Sequence, residues 1–287
     1  MPGYKEMIRN ILGEIPLTAE FYYELKKKNQ PFTRYSLKNI QTNLPQMLKD
    51  IEAGKQECTE PKKILVFASL HYWIEHAATV ALYFAAKGHQ VTFGYLPYSD
   101  WQKPVNKFDL RRQDIYTKKV FADAEKYLDI VSFLPLHPSY KKLPEEIISI
   151  VEEVSAYDTQ YTLQVEDFSR DDPLYKMRVT ANEYFARMVY AWLLENKPDY
   201  VIIPNGTIQE MGVLYRIAKW MSIPVTTYEF GEQRKRIWLA QNREVMRQET
   251  DDLWEVRKDI PINDDEFDRM RNMLSARQRA DLWGNFT

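Results

Sequence analysis

Lys63-Ile64-Leu65-Val66-Phe67-Ala68, the apolar segment Ile74 to Ala86, and Gly88-His89-Gln90-Val91-Thr92-Phe93 follow one another in the chain, and their reading decides the fold. Ile64 to Ala68 is a short unbroken apolar run, the pattern of a strand buried on both faces. Ile74 to Ala86 has helical length, and Gly88 supplies a residue that ends it as a C-cap. Val91 to Tyr95 is a second strand. A strand, a helix and a strand in this order open a parallel sheet with a right-handed crossover.

Moving toward the C-terminus, the spacing predicts a helix near Ile115 to Leu128 and a strand from Ile130 to Leu134. Residues 143–197 read as mostly helix, restarted at Asp171-Asp172-Pro173 by a capping aspartate and a first-turn proline. Tyr200 to Ile203 and Val225 to Tyr228 are further strands, with a helix from Thr207 to Met221 between them. Beyond Gly231 the pattern weakens, and 250–287 reads as two charged helices, the second opened by Asn263 with Glu266 three residues on. In the other direction, Phe21 and Leu25 begin one helical stripe, and Ile40, Leu44, Leu48 and Ile51 form another. Pro45 is expected to kink or restart that helix, and Ala53-Gly54 to end it. The expected organisation is a helical N-terminal extension (1–60), an α/β domain (61–249) with a Rossmann-like parallel sheet flanked by helices, and C-terminal helices (250–287). The chain stops at Asn285-Phe286-Thr287 without a terminating element, the pattern of a piece whose second domain is missing.

Composition removes several function classes. Hydrophobic residues at 45% and charged residues at 28% suit an ordinary globular protein. A net charge of -2, with basic runs as short as Lys26-Lys27-Lys28 and Arg234-Lys235-Arg236, gives no footprint for nucleic acid. The single cysteine, Cys58, has no sequence neighbour arranged to activate it and makes no internal disulfide, which points to a reducing, cytoplasmic setting. No run reaches the ~20 apolar residues of a membrane span, which leaves only peripheral membrane contact.

In open parallel sheets, ligands bind outside the carboxyl ends of the strands, and three strand ends carry unusual polar groups. After the first strand, Ser69-Leu70-His71-Tyr72-Trp73-Ile74-Glu75-His76 offers His71 as a base, Trp73 as a stacking wall and Glu75 as a further substrate contact; otherwise His71 caps the helix and His76 sits on its surface. The histidines are ~140° apart on a helix, whereas metal-binding pairs use a spacing of four, so no metal is expected. After the fourth strand, Asn205 is a candidate for a sugar hydroxyl and Gly206 for close ligand approach. Thr207 and Glu210 match a capping box, which makes Glu210 structural. After the fifth, Glu229 is a candidate general base, or the partner of a nearby Arg or Lys. Gly231 and Arg234 complete this set, Arg234 as a phosphate contact. His89 reads as a structural turn residue.

Absences narrow the chemistry. There is no G-x-G-x-x-G after the first strand, no G-x-x-x-x-G-K-[ST], no H-E-x-x-H and no G-x-S-x-G. No Asp-x-Asp occurs for metal-bridged diphosphate binding, and no cofactor is expected.

Lys63 to Phe67 leading into His71, Gly88-His89-Gln90-Val91-Thr92-Phe93, Pro204-Asn205-Gly206 and Thr227-Tyr228-Glu229-Phe230-Gly231 together resemble the N-terminal half of a GT-B glycosyltransferase of the capsule and surface-polysaccharide type, over roughly residues 60–285. The resemblance implies a domain that receives a glycan or lipid-linked acceptor. The nucleotide-sugar donor would be gripped mainly by a C-terminal domain missing from this chain, and catalysis would need no bound metal. His71 and Glu229 are then the candidates for deprotonating the acceptor hydroxyl. The alternatives are a non-catalytic sugar- or nucleotide-binding module, and a GT-B-like nucleotide-sugar epimerase or hydrolase.

Overall fold

A computed structural model describes residues 4–25, 35–54, 56–98, 106–134, 142–231 and 236–279. Three helices come first: α1 (Tyr4–Glu14), α2 (Thr18–Leu25) and α3 (Lys38–Gly54). The second stripe is as its spacing predicts, with Ile40, Leu44, Leu48 and Ile51 all buried on α3. Pro45 does not restart this helix. It lies inside it on the exposed side, so the hydrogen bond it cannot donate is lost toward solvent. The first stripe fails: Phe21 and Leu25 are each 67% exposed, and α2 buries Ala19 instead.

The remaining elements alternate. They are β1 (Lys63–Ser69), α4 (His71–Ala86), β2 (Gln90–Leu96), α5 (Lys107–Phe121), β3 (Asp129–Ser132), α6 (Glu145–Leu163), α7 (Pro173–Asn196), β4 (Tyr200–Pro204), α8 (Gln209–Trp220), β5 (Val225–Phe230), β6 (Ile237–Gln241), α9 (Asp251–Arg257) and α10 (Asp264–Gln278). The strands form one sheet in the order β3-β2-β1-β4-β5-β6. Every pairing is parallel except β5 with β6. This is a mixed α/β sheet flanked by helices, compatible with a Rossmann-like fold. β1 is central and buried from Ile64 onward because strands flank it on both edges and helices cover both faces.

Most boundaries shift by one to three residues, as at α4, β3 and α8, and two features differ more. α5 begins eight residues earlier than expected, where the Asn106 side chain accepts from the amides of Phe108 and Asp109. Its buried face is partly polar: Asp114 accepts from the Tyr95 hydroxyl at 2.8 Å, and Thr117 meets the Tyr35 hydroxyl at 2.6 Å. That polarity hides the helix from an apolar periodicity. β6 has no counterpart in the sequence reading. It is an edge strand whose residues are mostly exposed, so no alternation of apolar and polar side chains marks it.

Local stops fall where their residues predict. Gly88 adopts φ +86 just beyond α4, and the His89 ring accepts from the Lys62 amide at 3.3 Å. Asp172 caps α7 with Pro173 in the first turn, and Asn263 and Glu266 close a reciprocal capping box on α10. Among the described residues, no helix is long and apolar enough to cross a membrane.

Candidate functional site

The chain builds β1, β2 and β3 outward on one side, then returns across β1 to place β4 and β5 on the other. The strand order therefore reverses between β1 and β4, and the crevice outside their carboxyl ends is where this architecture binds ligands. Three residues of positive φ stand there, among others elsewhere in the chain. Leu70 follows β1 with φ 69 and ψ 138, while Asn205 and Gln209 follow β4 with φ 59 and 55. Non-glycine residues held this way cost of order 1–3 kcal/mol each and persist only where the surrounding structure imposes them.

On this rim the Asn205 side-chain amide donates to Glu229 Oε2 at 3.3 Å. The Asn205 carbonyl oxygen accepts from the amides of Thr207 and Ile208, at 2.9 and 3.3 Å. The Asn205 main-chain amide donates to the Tyr228 carbonyl at 2.7 Å, tying the end of β4 to β5. Glu229 Oε1 accepts from the Phe230 amide at 3.0 Å. Burial raises the Glu229 pKa, and its bonds to Phe230 and Asn205 only partly offset this. Glu229 makes no ion pair among the described residues; its partners are an amide side chain and a main-chain N–H. The Tyr72 phenol, pushed up by burial and then by the Glu229 charge, shares the rim. His71 is half-buried, with its ring 5.3 Å from that of Tyr72. Burial lowers its pKa, opposed by Glu75, so it stays neutral at pH 7. A carboxylate with a raised pKa and a neutral imidazole are both competent proton acceptors.

Beneath the rim lies a cluster that no sequence spacing announces. Arg178 Nε on α7 is 2.7 Å from Asp158 Oδ2 on α6, and both side chains are almost wholly buried. Burial raises the Asp158 pKa to about 7 against the pull of Arg178, and Glu210 adds to the rise. Glu210 itself is 4% exposed, and burial raises its pKa, eased by its own amide, by Arg178 and by the nearby Ser69 hydroxyl. Two carboxyls thus share one guanidinium, and burial pushes the Tyr98 phenol beyond β2 well up, with Glu210 adding to the rise and Arg178 opposing it. Glu210 is not part of a capping box. α8 begins at Gln209 with no side-chain cap, Asn205 serves the preceding amides, and the Thr207 hydroxyl donates to Glu244 at 3.2 Å. In the first helical turn Glu210 turns inward instead. Sequence could have pointed to Asp158 and Arg178 only as charges interrupting the apolar faces of two long helices.

Several other candidates have structural partners. Trp73 is 5% exposed and stacks on Phe230 with centroids 4.5 Å apart, so that ring face is taken within the core. Glu75 accepts from the Asn39 and Ile40 amides at 2.8 and 3.1 Å, holding the N-terminus of α3. His76 is not a free surface residue: its ring packs 5.1 Å from Tyr228 and 5.0 Å from Phe230. Gly206 is buried at φ +81, and a Cβ there would meet Thr227 Cγ2 at 2.5 Å, so the close approach it allows is to β5. The Gly231 amide donates to the Arg236 carbonyl at 2.9 Å, tying the end of β5 to the residue before β6. Arg234 and the Lys26 to Lys28 run lie outside the described residues. Cys58 Sγ is 3.9 Å from His89 Nδ1, a contact its sequence neighbours do not reveal.

An open groove lies at the opposite end of the sheet, where β1, β2 and β3 begin, lined by Lys63, Gln90, Thr92, Asp129, Trp192 and Asn196 among others. It is remote from the rim. Among the described residues, no group of three His, Cys, Asp or Glu side chains is placed to hold a metal ion. Neither a scan against protein-family models nor a search of curated protein sequences finds a match to this chain.

Proposed function

We propose that this chain is the acceptor-side domain of a GT-B-type glycosyltransferase in surface-polysaccharide assembly, with Glu229 as the base. The observation that carries the reading is the Asn205–Glu229 hydrogen bond at the carboxyl rim of the sheet. It holds a carboxylate of raised pKa at the rim, with its proton-accepting oxygens fixed by neutral donors and no ion pair among the described residues. In the reaction, the Glu229 carboxylate takes the proton of the acceptor hydroxyl. The freed oxygen forms a bond to the anomeric carbon of the donor, and the bond from that carbon to the diphosphate breaks. The nucleoside diphosphate departs with the electron pair. His71 and Tyr72 flank the acceptor, and the Asp158–Arg178–Glu210 cluster fixes the floor.

The test is a turnover assay of the full-length protein with a panel of nucleotide-sugars, with and without glycan acceptors. Nucleoside diphosphate released only with acceptor, and matched by glycosylated product, is the expected result. Release without any acceptor identifies a hydrolase, and tight binding without turnover identifies a binding module. Either outcome overturns the transferase reading.

A further inference from the structure

We propose that the cavity between α6, α8 and the segment joining β6 to α9 is a distal subsite for a neutral, hydroxyl-rich sugar residue, reached from the rim along Tyr161 and Tyr157. The proposal rests on the transferase reading only for the acceptor at the rim, and it names that acceptor as an oligosaccharide rather than a single sugar. The cavity has a volume of about 360 Å³, within the range of about 300–1,000 Å³ usual for ligand sites.

A chain of polar contacts ties this cavity to the rim. Asn205 holds the Thr207 amide, the Thr207 hydroxyl donates to Glu244 Oε2 at 3.2 Å, and Glu244 Oε1 meets Arg216 at 3.1 Å. The Glu244 and Arg216 side chains are 8% and 10% exposed, so this wall is not made of loose surface charges. Alongside it α6 presents Tyr157 and Tyr161, 40% and 57% exposed. Four residues apart, they share one helix face and lie about 6 Å from each other along the axis. Tyr157 stands at the cavity, with the Arg216 guanidinium over its ring at 5.6 Å. Tyr161 stands toward the crevice: burial raises the Tyr72 pKa, Glu229 raises it further, and Tyr161 adds to the rise. Two phenols therefore line the way from the candidate base to the cavity.

The chemistry of the lining selects the ligand. Arg216, Arg243 and Arg247 face Glu153, Glu244 and Glu249 around the cavity. Lys219 completes the set and donates to the Tyr215 hydroxyl at 3.4 Å. Each guanidinium already has a carboxylate: Arg216 and Arg247 pair with Glu244, and Arg243 with Glu249. A phosphate or carboxylate would have to displace one of these partners, so the lining does not favour an anion. Interleaved donors and acceptors suit hydroxyls, which give to a carboxylate and take from a guanidinium at once. A tyrosine adds an apolar ring face for the C–H side of a sugar and a phenol for its hydroxyls.

Binding of the 287-residue chain to an array of neutral and acidic saccharides, graded from monosaccharides to hexasaccharides, tests this, with calorimetry on those that bind. The expected pattern is affinity for neutral oligosaccharides that rises with their length. Tyr157→Ala and Tyr161→Ala, both at exposed positions, should keep the wild-type melt and each weaken the longer ligands about 10-fold. Binding confined to acidic saccharides, monosaccharides bound as tightly as longer chains, or no neutral oligosaccharide bound at all overturns the proposal. So does binding of the longer chains that survives both tyrosine substitutions. Transfer assays on the same saccharides keep the two readings apart. Long neutral glycans bound through the tyrosines without any transfer refute the transferase and uphold the subsite. Transfer as efficient to monosaccharides as to longer acceptors refutes the subsite and upholds the transferase.

Discussion

The Asn205 side chain spans the gap between two adjacent strand ends, giving its amide to Glu229 and its carbonyl oxygen to the start of α8. It does so from a left-handed backbone, φ 59, that asparagine tolerates far better than most residues. One residue thus fixes both the carboxylate and the turn that follows β4.

Replacing it separates the two roles. Asn205→Ala loses every side-chain bond and strains the backbone, and should cost about 2–3 kcal/mol. Asn205→Gly loses the same bonds without the strain and should cost about 1 kcal/mol less. Urea denaturation of the two variants gives this order, and equal losses would show that the backbone strain is not significant.

Gly206 tests the neighbouring contact. Gly206→Ala adds a methyl 2.5 Å from Thr227 Cγ2 at φ +81, and should destabilise the protein by roughly 2–3 kcal/mol. Thr227→Ser removes that methyl while keeping the hydroxyl that serves Arg243 and Val245. In the double variant the loss should be smaller than the sum of the single losses, read by a double-mutant cycle.

Asp158 gives a stability slope with a definite sign. Its folded pKa, about 7, is above the unfolded value, so the folded state binds the proton more tightly. The associated stability is complete below about pH 4 and disappears as pH rises through 7. Asp158→Asn mimics the neutral form. It should match the wild type near pH 4 and be the more stable of the two near pH 8, by roughly 1–3 kcal/mol. Thermal melts across this range measure the difference, and parallel curves would mean Asp158 is not strained in its charged form.

His76 acts in the opposite window. Burial depresses its pKa below the ordinary 6.5, so protonation favours the unfolded chain. Stability is present above about pH 6.5 and falls as pH drops through the depressed folded value. His76→Phe keeps a ring against Tyr228 and Phe230 and removes the titration. Its advantage over wild type in thermal melts should be larger at pH 5 than at pH 8, and a constant offset would contradict this account.

How much of this is legible in the sequence depends on whether a signal is local. The apolar run Ile64 to Ala68, Gly88 after α4, Asp172-Pro173 and the Asn263–Glu266 box each declare themselves within a few residues, and each stands where those residues predict. β6 is different because an exposed edge strand has no buried face to set an alternation. The start of α5 is hidden by Asp114 and Thr117, polar residues buried only because Tyr95 and Tyr35 meet them. At the site, Asn205 and Glu229 can be named because both end strands. Asp158 and Arg178 cannot, since two helices and the start of a third must pack before their charges meet. Trp73 and Glu75 stand near the right strand end, but their partners, Phe230 and the Asn39 amide, are remote in sequence.

The sharpest measurement is the rate of sugar transfer by the full-length Glu229→Gln variant, which keeps the shape at the end of β5, removes the proton acceptor and can face only one of the Phe230 and Asn205 donors with oxygen. The account predicts a cooperative melt lowered by about the 1 kcal/mol of one lost hydrogen bond, with transfer reduced at least about 100-fold, the scale of a lost general base. Transfer at the wild-type rate would contradict it.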